Sequence, residues 1–326
     1  MRGGSTGWGL GLFASFLLVA CADEGPTTAP TPRISDARPR GPFASGTVLR
    51  IVSGDTGLPV AGAQVGVGST RLESDATGEV TLPSDFGSGT FADVDHPDFL
   101  LRQTRLLEAT GVQFTLFPKR SSTGLTEDFI RDVLFQDSST GESRHIMRIT
   151  PGTAFAYVVP STQIFGDLRA MRAVNDAVAE INEITEGEIR FEVRDEAPAN
   201  ATAFDLIIDP NDPVLVNGAI GVARRRFSGW NIIGGTAVVD SMETARTSAT
   251  HHELGHMLGL GHSNSIADVM YPYQRPRVET FSPRERLGVR LLLQRPAATM
   301  HPDNDRSVRD PRSLAAAAAS VVLCYR

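Results

Sequence analysis

At 326 residues, with 31 basic against 38 acidic side chains and a net charge of −7, the chain has the length for two domains and no basic excess for nucleic acid to engage. Its only cysteines, Cys21 and Cys324, stand near opposite ends, so no disulfide framework is encoded.

The chain opens with an apolar run over residues 8–20, WGLGLFASFLLVA, behind Arg2 and closing in small residues. That pattern predicts a secretory signal; a membrane span needs about 20 apolar residues. Leu18-Val19-Ala20-Cys21 resembles a bacterial lipobox, which implies a signal peptide over residues 1–21, lipidation of Cys21 and anchoring of the exported protein in the cell envelope, at the outer membrane or surface. The competing reading is a plain secretory signal cut near Ala20 or Ala22.

Residues 22–45 are rich in Pro, Thr and charge and poor in large apolar side chains, which predicts a disordered tether. Residues 46–118 then change to short β-type runs, TVLRIV, AQVGVG, EVTLP and VQFTLF, separated by turn signals such as SGDTG and DATG. They predict a small all-β sandwich. The segments TGLPVAGAQVGV and SDATGEVTL resemble the carboxypeptidase regulatory-like, transthyretin-like accessory domain, implying a spacer or docking role. His96 lacks a second ligand at useful spacing and reads as a loop or surface residue.

Residues 121–296 read as a third region. The strand AFAYVV precedes a helix in which Leu168, Met171, Val174, Val178, Ile181 and Ile184 recur every three or four residues, marking a core face. Further strands at IRFEV, FDLIID and TAVVD predict a mixed α/β layer. Ser282-Pro283-Arg284-Glu285 has the form of a capping box with proline at the first helical position, opening a last helix that stops by Pro296. Residues 297–326 form a tail, expected without order until SLAAAAASVVL, whose alanines favour helix.

The chemistry is concentrated in His252-Glu253-Leu254-Gly255-His256-Met257-Leu258-Gly259-Leu260-Gly261-His262. Residues four apart on a helix differ by about 40° around its axis, so His252 and His256 share a face and can chelate one ion. An unbroken helix would carry His262 about 9 Å beyond His256, so the helix must end first. Gly259 supplies that end through a left-handed backbone. Three neutral imidazoles leave zinc with an open position, the arrangement of catalytic sites. Glu253 stands beside them as the candidate general base. His251, rotated by about 100° from His252, is expected to be exposed or to support a ligand.

HELGHMLGLGHS, followed by Ala267-Asp268-Val269-Met270-Tyr271-Pro272, resembles the metzincin zinc peptidases and, among them, the matrixins. The resemblance implies a zincin-type α/β (α+β) catalytic domain with a mixed sheet and a zinc-binding helix, and one catalytic zinc held by His252, His256 and His262. Met270 then lies on a tight turn beneath the metal. It also implies that the strand Gly235 to Asp240 is the sheet edge above the cleft, where an extended protein or peptide substrate pairs. No cysteine lies between Cys21 and Cys324, so a pro-segment cysteine cap on the zinc is not expected, and His145, alone between residues 97 and 250, does not support a second histidine-rich zinc site. Asp205, Asp209, Asp212 and Asp240 are candidate calcium ligands, weighed against ordinary solvated loop acids. The function these residues predict is a zinc-dependent endopeptidase using a metal-activated water; the alternative is a catalytically silent surface binding lipoprotein that keeps the fold.

Overall fold

The computed structural model describes residues 43–325 apart from 88, 107–111, 138–143, 150–151, 216–217, 274–277 and 306–319. Cys21, the expected signal peptide and nearly all of the expected tether lie outside the described residues.

Seven strands precede residue 117: β1 (Val48–Ser53), β2 (Gln64–Val67), β3 (Thr70–Glu73), β4 (Glu79–Thr81), β5 (Phe91–Asp95), β6 (Arg102–Arg105) and β7 (Val112–Leu116). They form one sheet in the order β4-β1-β7 and another in the order β3-β2-β5-β6. Alternation puts Leu49 and Ile51 of β1, Val65 and Val67 of β2, and Ala92 and Val94 of β5 into one shared core. His96 stays in a loop, where its Nδ1 accepts from the backbone N–H of Asp98 and its ring meets Phe99 edge-on.

Next come α1 (Glu127–Phe129), which continues as a π-helical turn to Leu134, and the short strands β8 (Gln136–Asp137), β9 (Arg144–His145) and β10 (Arg148–Ile149). The main sheet is built from β11 (Phe155–Pro160), β12 (Arg190–Val193), β13 (Thr202–Ile208), β14 (Ala219–Ser228), β15 (Asn231–Val239) and β16 (Ser320–Tyr325). Its order is β12-β11-β13-β15-β14-β16, with β10 alongside β15. The first four of these strands run parallel, and β14 is antiparallel to both its neighbours. Its helices are α2 (Thr162–Phe165), α3 (Leu168–Ile184), α4 (Met242–Ala245), α5 (Ala249–Leu258) and α6 (Pro283–Leu293).

This order corrects the sheet edge. Residues 235–239 of β15 pair with β13 on one side and with β14 on the other, so they cannot accept a further strand. Strand β14 borders β15 on the outside, and its second edge carries β16.

Helix α3 starts where Asp167 accepts from the backbone N–H groups of Arg169 and Ala170. Val174, Val178, Ile181 and Ile184 are buried on its core face, whereas Leu168, at the first position, is 90% exposed and belongs to no core. Ala170, two residues further on, is already fully buried, so only the first position of the pattern falls outside the core.

The expectation of disorder from residue 297 fails over residues 297–305. Asp303 accepts from Arg102 at 2.6 Å and from Arg295 at 3.1 and 2.8 Å, all three side chains being buried. Asp305 accepts from Thr104 and Thr299, and backbone bonds join Gln103 to both Asp303 and Asp305. This segment therefore ties β6 to the region that follows α6, with Arg295 also donating to the carbonyl of Thr115 in β7. Its apolar content is low, so hydrophobic periodicity carries no trace of it. The end of the chain also departs from expectation: Ser320–Tyr325 is a strand, not a helical extension of the alanines.

Candidate metal centre

Helix α5 carries the first two histidines. It is buried along its whole length, and it ends at Gly259, whose φ of 109° is left-handed, with the Gly259 and Leu260 N–H groups closing back on His256 and Gly255 carbonyls. A β-carbon there would also lie 2.0 Å from the carbonyl oxygen of Met147, so only glycine fits. The chain then turns back, and His262 comes to face His252 and His256. Ring centroids stand 4.6, 5.3 and 4.9 Å apart around this triangle, and one nitrogen from each ring lies within 4.8 Å of the others.

The ring orientations are set by carbonyls. A carbonyl can only accept, so His252 donates from Nδ1 to Val269 at 2.6 Å, and His256 donates from Nδ1 to Leu260 at 2.8 Å. Each Nε2 therefore holds its lone pair. The Nε2 of His252 is buried and has no hydrogen-bond partner, a cost of about 1–3 kcal/mol that a metal bond would remove. Burial, with His262 beside it, pushes His252 down to about 3, and burial with Arg225 nearby takes His262 to about 4. Burial also holds His256 well below the usual imidazole range. All three imidazoles are thus neutral, as ligands must be. This donor set of three neutral nitrogens fits zinc.

Glu253 is fully buried on α5 and its carboxylate lies against Gly221 of β14, where a β-carbon would stand 2.0 Å from Oε1. His251 is buried, not exposed: its Nε2 lies 3.5 Å from Glu180 of α3, and it is not part of the triangle. Met270 is fully buried with its sulfur beneath Gly255, at 2.4 Å from where a β-carbon would be.

Three further residues shape the site, and the motif does not contain them. Glu285, the third helical residue of α6, completes the capping box with Ser282 and also accepts from the backbone N–H groups of Met270 at 2.7 Å and Val269 at 3.2 Å. It thereby holds the turn whose Val269 carbonyl orients His252. Burial, with the neighbouring Asp268 carboxylate, pushes Glu285 up to about 7. Arg225 of β14 is buried and donates to the backbone carbonyl of His256 at 3.4 Å and to Gln136 at 3.3 Å; burial pulls it down to about 10. Gly221 is the third, and only its missing β-carbon signals its role.

The calcium expectation is not supported. Asp209 accepts from the N–H of Asn211, Asp212 is paired with Arg224 at 2.6 Å, and Asp240 accepts from the hydroxyls of Ser241 and Thr244. Among the described residues, His252, His256 and His262 form the one group of three or more ligand-type side chains close enough to share an ion. His145 stacks on Trp230 and hydrogen-bonds Ala298, away from that group.

A mixed sheet backed by a helix with two histidines, a glycine-closed return bearing a third and a buried glutamate beside them form a site that can hold a metal ion. Residues 167–286 match the family model of the matrixins, which supports a matrixin-like zinc metallopeptidase. The match runs from the cap of α3 into α6 and contains every residue of the triangle. A comparison with curated proteins found no match.

Proposed function

We propose that the protein is a zinc-dependent endopeptidase in which His252, His256 and His262 hold the metal and Glu253 is the general base. The observation that carries the reading is the histidine triangle, in which His252 and His256 are buried with their tautomers set by carbonyls and His262 is partly exposed, beside the fully buried Glu253. Zinc, when bound, supplies a Lewis acid that polarises the scissile carbonyl and acidifies the attacking water. Glu253 takes a proton at its carboxylate and returns it to the leaving nitrogen, so the peptide bond breaks with the addition of one water and no acyl-enzyme. The edge of β14 opposite β15 binds the substrate backbone as an added strand, which presents an internal peptide bond to Glu253.

The two sheets of residues 48–116 serve as an accessory domain with a spacer or docking role, and Cys21 carries a lipid anchor that holds the exported protein at the bacterial envelope. These assignments rest on the sequence resemblances. The test is cleavage of an unfolded protein by the chain lacking residues 1–21, beside Glu253→Ala. Cleavage by the parent alone, abolished by a chelator, supports the assignment. Two inert proteins would move it to the silent binding lipoprotein.

A further inference from the structure

The edge of β14 that the proposed function assigns to substrate is taken by the chain itself. Strand β16 runs antiparallel to β14, with Ala219 opposite Tyr325, Gly221 opposite Cys324, Val222 opposite Leu323, Ala223 opposite Val322, Arg224 opposite Val321 and Arg225 opposite Ser320. The other edge of β14 is closed by β15. Gly221 is the residue against which the Glu253 carboxylate rests, and Arg225 reaches the carbonyl of His256. The paired stretch thus spans the level of the base and of the metal-binding helix.

One strand edge accepts one strand. A bound substrate and β16 therefore exclude each other on β14. Among the described elements, β14 is also the one against which β16 packs appreciably. Strand β16 is the end strand of the sheet, and local opening concentrates at such edges. Ser320-Val321-Val322-Leu323-Cys324-Tyr325 has the β-branched and aromatic content of a strand, as a peptide substrate for such an edge would.

We propose that residues 320–325 are an intramolecular occupant of the substrate edge, a C-terminal autoinhibitory strand that must leave β14 before a protein substrate can pair there. This rests on the proposed peptidase reading for its consequence but not for its occupancy. Because β16 belongs to the same chain, its pairing is intramolecular and competes with a substrate without the entropic cost of a second molecule.

Two variants of the chain lacking residues 1–21 test it: truncation after residue 319, and the double variant Val321→Pro, Val322→Pro, which keeps the length and, because adjacent strand residues direct their N–H groups to opposite sides, removes a donor facing β14. Each is expected to raise kcat/KM on an unfolded protein about tenfold, at unchanged zinc content, and to speed hydrogen exchange at the outer-edge amides of residues 219–225. Binding is read separately in a Glu253→Ala background, with a fluorescent peptide of residues 320–326. The truncated protein is expected to bind the peptide and the full-length one to reject it. Equal binding by both, or binding by neither, overturns the proposal and makes β16 a permanent edge strand or an accidental one. Differential binding with no cleavage by any form leaves the occupancy standing and removes the peptidase reading instead.

Discussion

The two ring nitrogens of His252 and of His256 are chemically distinct, since Nδ1 donates its hydrogen to a backbone carbonyl and Nε2 keeps the lone pair with which it can hold a metal. The segment HELGH can be read as two ligands and a base because side-chain direction on a helix follows from spacing alone. Glu285 is readable from sequence only as a cap. Its second role, holding the N–H groups of Val269 and Met270, depends on a return of the chain that no local pattern encodes. Arg225 is hidden for the same reason, lying in an ordinary run of three arginines. Replacing Gly221 with Ala puts a methyl group into the Glu253 carboxylate, so we expect kcat to fall at least tenfold while zinc binding persists. Steady-state kinetics beside metal analysis checks this; equal loss of zinc would assign Gly221 to folding. Glu285 makes a pH prediction. Its pKa is raised from 4.5 to about 7 on folding, so the native state holds the extra proton between these values. Stability from this group is fully present below about pH 4.5 and is lost as pH rises through 7. The gap in stability between the parent and Glu285→Gln should therefore change across that window and stay constant above it; a constant difference throughout would show that Glu285 does not titrate there.

Among the elements, α5 and α6 carry their boundaries in their own residues, Gly259 for one and Ser282-Pro283-Arg284-Glu285 for the other. Both are legible because caps are local chemistry. Strand order is not, since alternation marks which residues form a strand but not which strand lies beside it; the edge expected at residues 235–240 proves to be an inner strand, with β14 outside it. The terminal strand is masked by the alanines before it. Gly259→Ala would impose both a left-handed backbone and a clash with Met147, costing upwards of about 1–3 kcal/mol from the backbone alone. Urea denaturation should show a loss of at least this size with zinc affinity falling in parallel, because His262 depends on the turn. A variant with unchanged stability would mean that the helix can end elsewhere.

Across the whole molecule, the segment through Asp303 and Asp305 joins the sheets before residue 117 to the helix-and-sheet region after residue 121 through buried ion pairs and backbone bonds. Breaking one partner of a buried pair leaves an uncompensated charge, so Asp303→Ala should cost about 3–5 kcal/mol. If the two regions are coupled through it, calorimetry should resolve one transition in the parent and two in the variant; a single unshifted transition in both would contradict the coupling. Sequence patterning marks two folded regions along the chain, but it cannot foresee that the stretch after Pro296 stitches them together, since a salt-bridged clasp has no periodicity.

The most direct test of the account is zinc stoichiometry in the purified chain lacking residues 1–21, compared with His262→Ala. The account predicts one zinc per chain in the parent and an affinity lowered by orders of magnitude in the variant, because His262 completes the triangle with His252 and His256. A parent that binds no stoichiometric zinc, or a variant that binds it as tightly, would contradict the metal centre on which the function rests.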